Sequence, residues 1–259
     1  MATTNGDAPL LPAPDPPRTL ALTWAKAIGG LAIARALSLF DPTGILAKNL
    51  AGVAALLFIA LADARVRRGG GSWAHYGVPG GSLRDPATYR AFGRGALRGL
   101  GSSALVLPLF GLLFAGYALL LPRFSPPVLG AALPDLRPAH AALRLPPDLL
   151  LRALLQILVV ALPEELFYRG WMQTSWARGA PGRGVRVLGA HLGAGFFATQ
   201  LLFAAGHLVL LDPLRLATFL PGLWFGWLRE RTGGVAAPVL AHALSNLFLQ
   251  ALEASFYGG

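Results

Sequence analysis

The chain contains no cysteine, and only 13% of its 259 residues are charged. The absence of cysteine excludes disulfides, thiolate metal ligands and a cysteine nucleophile. Hydrophobic residues make up 54% of the sequence, and the mean hydropathy is +0.55. Several apolar runs approach the ~20 residues that a helix needs to cross a bilayer. The composition therefore predicts an all-α polytopic membrane protein, with about seven transmembrane helices.

Acidic residues are also scarce, and two common hydrolytic motifs are missing. The sequence has neither a His-Glu-x-x-His zinc helix nor a Gly-x-Ser-x-Gly nucleophile elbow. Only four glutamates and eight aspartates oppose twenty arginines and two lysines, which leaves a net charge of +10. In a membrane protein such an excess indicates topology and contact with anionic headgroups. We therefore predict the lipid bilayer as a partner and no nucleic acid.

The predicted organisation has three regions. Residues 1–18 are rich in proline and are expected to form a disordered tail. Residues 19–148 hold the N-terminal helices and a basic loop, and residues 149–256 hold a catalytic helical core. The membrane spans are expected at residues 20–40, 44–62, 100–121, 148–176, 187–211, 214–228 and 235–256.

Arginine-rich loops predict the orientation in the membrane. The loop of residues 63–98, which includes an expected interfacial helix at residues 89–97, is strongly basic. The shorter loops 178–186 and 229–231 are basic as well, and all three fall on the same side of the predicted spans. Because short basic loops stay inside, we expect a cytoplasmic N-terminus and a location in the cytoplasmic (inner) membrane.

Two glutamates and an arginine interrupt the fourth predicted span. Ionisable groups at bilayer depth are costly, so they indicate function by default. Glu165 and Arg169 are four residues apart and share a helix face, which predicts an ion pair, whereas Glu164 points about 100° away and is left for other work. Pro163 removes one backbone hydrogen bond near Val159. It predicts either a local break that admits water or an ordinary transmembrane kink.

Two further polar pairs have the same helical spacing in later spans. They are Phe203 with His207 and His242 with Asn246. At 1.5 Å per residue, His207 lies roughly 8 Å below the outer boundary and His242 roughly 16 Å above the inner one. Both histidines therefore fall near the depth of Glu164. One intramembrane histidine alone could be structural, but the whole set indicates a site.

Glu164-Glu165-x-x-x-Arg169, Phe203-x-x-x-His207 and His242-x-x-x-Asn246 resemble, in order and spacing, the three motifs of the CPBP family of intramembrane glutamic endopeptidases. This family is also called CAAX protease/bacteriocin-processing, Abi or Rce1-like. The stretch of residues 222–238 is similar to the family's usual sequence before the third motif. The resemblance covers about residues 149–252, and the first three spans show no recognisable motif.

The resemblance implies hydrolysis of a peptide bond near the membrane-embedded or C-terminal end of a membrane-anchored protein or peptide substrate. Carried onto this chain, Glu164 is the general base with His207 beside it. His242 and Asn246 stabilise the oxyanion. Glu165 with Arg169 forms a structural pair, and Phe203 supports the site. No cofactor is implied, and the substrate class, whether prenylated, sorting-signal or bacteriocin-type, stays open.

Two alternatives remain at this stage. One is a zinc-dependent intramembrane protease with Glu164, His207 and His242 as ligands. The other is a non-catalytic immunity, scaffold or transport protein with a buried polar network. The metal-free mechanism is preferred because the residues one helical turn from the histidines, Phe203 and Asn246, are not usual zinc ligands. The Asn246 amide can donate to an oxyanion instead.

Overall fold

The protein is described by a computed structural model that covers residues 12–80, 84–124, 144–146, 148–182 and 184–256. Within these residues the fold is all-α apart from one two-stranded hairpin, so the predicted fold class is confirmed at that level. The predicted connection at residues 122–147 lies mostly outside the described residues, as does the start of the predicted tail, residues 1–11.

Four helices are described within residues 12–124. They are α1 (Pro17–Ser38), the short α2 (Ile45–Lys48), α3 (Leu50–Arg68) and the long α4 (Pro86–Phe124), with a 3-10 turn at Trp73–Tyr76 before α4. The helix expected at residues 89–97 is present as the first part of α4, which continues without a break into the third predicted span. No proline interrupts residues 87–107, so nothing in the sequence stops the helix there.

The helix with the two glutamates continues from residue 149 to residue 179, and we call it the motif helix. It consists of α5 (Leu149–Leu155), a π-helical segment (Gln156–Ala161), α6 (Leu162–Glu165), a second π-helical segment (Leu166–Gln173) and α7 (Thr174–Gly179). The only α-helical turn between the π segments begins at Leu162, one residue before Pro163. The expected break at this proline therefore takes the form of π-helical turns, which are frequent at functional sites.

A hairpin and three helices complete the fold. The hairpin pairs β1 (Val185–Val187) with β2 (Ala190–Leu192), and it is followed by α8 (Ala194–Gly206), α9 (Phe219–Thr232) and α10 (Ala236–Phe256). Two 3-10 segments, His207–Leu210 and Pro213–Thr218, join α8 to α9. The fifth predicted span is therefore corrected, because residues 187–192 are hairpin and its turn has Gly189 at a φ of 81°.

Two helices, Pro17–Ser38 and Pro86–Gly116, are long and apolar enough to cross a membrane by length and composition. No other helix among the described residues meets both conditions, so the structure does not confirm seven spans. The reason lies in the late helices, which are short or carry the polar motifs. The segment Ala194–Leu210 is apolar but shorter, and α9 has only 14 residues.

The described part of the predicted tail contacts the helices through two residues. Pro12 is buried, and α1 begins at Pro17. The Asp15 carboxylate accepts a hydrogen bond of 2.8 Å from the indole nitrogen of Trp171 and pairs with Arg65. These contacts connect the entry to α1 with the end of α3 and with the motif helix.

A core of large side chains holds the motif helix against α1 and α3. Phe58, Phe167, Tyr168 and Trp171 are buried, and the Phe58 ring lies 4.9 Å from the Phe167 ring between centroids. Burying such a side chain contributes about 1.5–3 kcal/mol in water, and aromatic packing adds to it. On the other side, α4 approaches α10 at Gly99, where a Cβ would stand 2.6 Å from the backbone oxygen of Ala237. This packing sets the position of both polar motifs.

Candidate active site

Glu165 lies at the centre of a fully buried cluster. Its Oε1 accepts a hydrogen bond of 2.9 Å from Nη1 of Arg169, one helical turn later, and both side chains have no exposed area. The same oxygen lies 2.9 Å from Nδ1 of His242. Because a carboxylate oxygen only accepts, the hydrogen in that second bond belongs to Nδ1. The ion pair predicted from the spacing is present in the structure, and it extends to the third motif.

Arg169 is held by more than its ion pair. Its Nη2 donates to Oε1 of Gln200 at 2.9 Å and to the backbone oxygen of Gly222 at 3.1 Å. Its guanidinium carbon lies 4.2 Å from the ring centroid of Phe203. Phe203 is buried and also contacts both histidine rings, at 4.9 Å to His207 and 6.0 Å to His242 between centroids. The second motif therefore places an aromatic surface between the two histidines.

His242 is oriented by a stacked aromatic ring and by a hydrogen bond at Nδ1. Its ring stacks on Phe225 with a centroid distance of 4.8 Å and an interplanar angle of 17°. While Nδ1 bonds Glu165, Nε2 lies 4.0 Å from Oε2 of Glu164. One imidazole therefore stands between the two adjacent glutamates. This arrangement resembles in its roles the carboxylate that orients a catalytic histidine in a triad.

Glu164 faces a different environment. Its Oε2 is buried and has no hydrogen-bond partner among the described residues. The side chain lines a cavity of about 30 Å³ whose other walls are apolar and come from α3 and the motif helix: Ala51, Ala54, Ala55, Phe58, Val159 and Val160. A site needs roughly 10–15 Å³ on this measure to accommodate a water. The cavity therefore has room for a water beside the Glu164 residue.

His207 stands on the 3-10 segment that follows α8. Its Nδ1 lies 2.9 Å from the backbone oxygen of Phe203, which can only accept, so Nδ1 carries a hydrogen. In the neutral ring Nε2 is then an acceptor. Both His207 and Glu164 are described, and no hydrogen bond joins them. The structure thus links Glu164 to His242 more closely than to His207.

Asn246 forms a pair that the sequence did not predict. Its Nδ2 donates a hydrogen bond of 2.8 Å to Oε1 of Gln156, in the first π-helical segment. Asn246 lies one turn beyond His242 on α10, as the spacing predicted. Its second N–H is not used in this bond. Gln156 lies two turns before the Glu-Glu pair and belongs to none of the three motifs. The only sequence signal for it is that it is a polar residue in an otherwise apolar helix.

A metal site is not formed by these side chains as they stand. Among the described residues, no three histidine, aspartate or glutamate side chains converge closely enough to hold a metal ion. Glu164, His207 and His242, the predicted zinc ligands of the alternative, are included in that statement. Nδ1 of each histidine is already bonded to a protein oxygen, so only Nε2 of each is left for a metal.

These motifs lie in a segment with a known family signature. Residues 146–248 match the family model of the type II CAAX prenyl endopeptidase Rce1-like. This segment is an Rce1-like domain. It contains every residue predicted from the motifs, and the resemblance is confirmed. The whole chain matches none of the curated proteins and none of the solved structures that it was compared with.

The Rce1-like domain indicates the class of protein. The matched model is that of a membrane-embedded CAAX-type endopeptidase family, so residues 146–248 are similar to a peptidase of this class. The domain begins just before the motif helix and ends within α10, while α1 to α4 lie outside it. Yet α3 supplies three alanines and a phenylalanine to the cavity at Glu164. One wall of the candidate site therefore comes from outside the matched segment.

Proposed function

We propose that the protein hydrolyses a peptide bond in a membrane-anchored protein substrate, with Glu164 as the base that activates water and without a metal. The observation that carries this proposal is the position of Glu164, which lines a water-sized cavity and has its Oε2 4.0 Å from Nε2 of His242. A general base must be within reach of both the water and a group that takes the proton onward, directly or through one water. Glu164 lies between the cavity and His242, and the proton crosses the 4.0 Å gap through one water or after a small approach of the two side chains.

The steps follow from this geometry. Oε2 of Glu164 takes a proton from the water while the water oxygen attacks the scissile carbonyl carbon. The proton passes to Nε2 of His242, whose Nδ1–H remains bonded to Glu165, so that the imidazolium is flanked by carboxylates. The C–N bond then breaks, and this proton goes to the leaving amine. The products are a carboxylic acid and an amine, and Glu164 and His242 return to their starting states.

The developing oxyanion needs donors. We assign this role first to the second N–H of Asn246, whose first N–H is held by Gln156, and then also to Nε2–H of His242 once the proton has reached it. His207, with hydrogen on Nδ1, offers Nε2 as an acceptor that holds the water against Glu164. Glu165 and Arg169 act indirectly, since they set the orientation of His242. These roles match those implied by the family resemblance and add the proton transfer to His242.

We also propose that the chain crosses the cytoplasmic membrane about seven times, with its N-terminus in the cytoplasm. The absence of cysteine makes this testable, because single cysteines introduced at Arg67 and at Arg186 are the only thiols. Arg67 ends α3 and Arg186 is exposed in β1. Both should react with an impermeant thiol reagent only after the membrane is opened. Labelling in intact cells would place these loops outside.

The activity is tested without knowing the substrate. Membranes from cells that lack the gene supply the candidate substrates, and the purified protein in nanodiscs is added. New peptide termini are then counted by mass spectrometry. We expect Glu164→Gln to lower their formation about 10²- to 10⁴-fold, the range for losing a general base. Glu253→Gln is the matched control, because Glu253 is exposed on α10. Unchanged cleavage by Glu164→Gln would refute the proposal.

A further inference from the structure

A chain of hydrogen bonds leaves the cluster on the side away from Glu164. Nη2 of Arg169 donates to Oε1 of Gln200 at 2.9 Å, and Nε2 of Gln200 donates to Oε1 of Gln173 at 3.1 Å. Nε2 of Gln173 then donates to Oε1 of Glu230 at 2.8 Å. Gln173 and Gln200 are buried, whereas Glu230 is partly exposed near the end of α9. This chain of hydrogen bonds therefore connects the site with the end of α9.

The direction of every bond in this chain is determined by its ends. Arginine can only donate, and an ionised glutamate can only accept. Each glutamine between them accepts through its oxygen and donates through its nitrogen. Rotating the Gln200 amide by 180° would aim its N–H groups at Arg169 and its oxygen at the oxygen of Gln173. The two amides thus have one arrangement that satisfies all partners.

Backbone oxygens reinforce the same direction. Nε2 of Gln173 also donates to the backbone oxygen of Gly226 at 3.0 Å, and Nε2 of Gln200 donates to that of Phe196 at 3.1 Å. Gly226 permits this approach, because a Cβ there would stand 2.5 Å from Nε2 of Gln200. Gly226 is therefore required for the close approach of the two glutamine amides to α9. A larger residue there would break the hydrogen bonds between the amides.

The consequence reaches the reactive nitrogen of His242. Arg169, held by Gln200 and Gly222, donates from Nη1 to Oε1 of Glu165, and that oxygen accepts the hydrogen of Nδ1 of His242. A hydrogen on Nδ1 leaves Nε2 as the nitrogen that faces Glu164 at 4.0 Å. Turning the ring or moving the hydrogen to Nε2 alone would cost the bond to Glu165. The Arg169–Glu165 pair therefore selects the tautomer that the proposed mechanism requires, and the glutamines act on it by holding Arg169 in place.

We propose that Gln173, Gln200 and Glu230 are positioning residues that orient His242 from a distance. The assignment rests on the proposed function, since it gives His242 a role in proton transfer. Glu230 is the last acceptor of this hydrogen-bond chain, and its role is to accept the hydrogen bond from Gln173. The family motifs do not include these three residues, which lie four residues after Arg169, three before Phe203 and twelve before His242.

The first test uses Glu230 because it stands at the partly exposed end of the chain. Glu230→Leu removes the acceptor, whereas Glu230→Gln keeps an oxygen that can accept from Gln173. We expect the leucine variant to lower kcat about 10- to 100-fold with little change in KM, the range found for groups that orient catalytic or metal-bound histidines. The glutamine variant should retain most of the activity. Glu253→Leu, on exposed α10 surface, is the matched control.

The second test reads the tautomer directly. In protein labelled with ¹⁵N-histidine, a protonated and an unprotonated ring nitrogen give distinct resonances, and loss of a signal in His242→Gln assigns His242. The unmodified protein should show hydrogen on Nδ1. Gln200→Met, which keeps the volume but removes the three hydrogen bonds of this side chain, should show a mixture of tautomers. This measurement does not depend on cleavage, so it separates failure of the inference from failure of the proposed function.

The outcomes are decisive in each direction. Loss of kcat together with a changed His242 tautomer supports the assignment. A lower Tm with an unchanged tautomer and an unchanged kcat per folded molecule would show that these hydrogen bonds only stabilise the packing of the helices. That result would overturn the assignment. Full activity of both Glu230→Leu and Gln200→Met would overturn it as well. If Gln200→Met does not fold, the two Glu230 variants give the same comparison.

Discussion

The two sides of the motif helix face different surroundings. On one side Glu165 is enclosed by Arg169 and His242 and is connected through glutamines to α8 and α9. On the other side Glu164 faces the alanines of α3 and has an oxygen without a partner among the described residues. Adjacent glutamates thus have opposite surroundings. Each glutamate has a buried Oε2 without a hydrogen-bond partner among the described residues, but only Glu165 has an arginine counter-ion. A carboxylate paired with arginine serves structure, and one without such a partner beside a cavity is available for chemistry.

Removing the charge of Glu165 should have the largest effect on the protein. Glu165→Leu leaves Arg169 buried without its counter-ion and frees Nδ1 of His242. Breaking a buried ion pair by removing one partner costs about 3–5 kcal/mol, so we expect a lower Tm and little folded protein. Glu164→Leu, which removes no ion pair with arginine, should fold normally. Thermal unfolding in detergent measures both, and equal Tm values for the two variants would contradict the comparison.

Loss of an oxyanion donor should come next. Asn246→Ala is expected to lower kcat about 10²- to 10³-fold with a normal Tm, the range for removing one such donor. Gln156→Leu, which removes the partner of Asn246, should lower it less because the amide stays in place. Kinetics on a cleavable substrate measures both. A larger loss in Gln156→Leu than in Asn246→Ala would show that Gln156 itself acts in the reaction.

The apolar side can be tested by filling its cavity. Ala54→Val adds two carbons to the wall opposite Glu164, in a space of about 30 Å³. We expect kcat to fall about 10-fold, because a cavity below roughly 10–15 Å³ no longer accommodates a water. The control is Ala60→Leu, at an exposed position on the same helix. Equal kinetics for the two variants would mean that the reacting water does not use this cavity.

The smallest expected effect is that of a chelator. Dialysis against a chelator should leave cleavage unchanged, and purified protein should contain no stoichiometric zinc, because the proposed mechanism activates water with Glu164 alone. Metal analysis and activity before and after dialysis are the measurements. Activity that is lost on chelation and restored by added zinc would favour the zinc-dependent alternative with Glu164, His207 and His242 as ligands.

The late helices were predicted well where the helical spacing of residues and the helix-terminating residues were clear in the sequence. The last predicted span, residues 235–256, agrees with α10 (Ala236–Phe256), and the i, i+4 spacing of Glu165 and Arg169 correctly predicted their ion pair. The start of the fifth span was missed because Val187 to Leu192 is as apolar as a helix end. Only the turn at Gly189 distinguishes it as a hairpin. The assignment of seven spans stays a prediction.

The sequence by itself determined which side chains share a helix face, because a helical repeat places residues four apart on one side. It thereby determined the three motifs and the pairing of Glu165 with Arg169. Only the tertiary structure decided that His242 lies between the two glutamates, that α3 forms the cavity wall and that Gln156 holds Asn246. These contacts join segments up to about a hundred residues apart, and they depend on how whole helices pack, which no local pattern encodes.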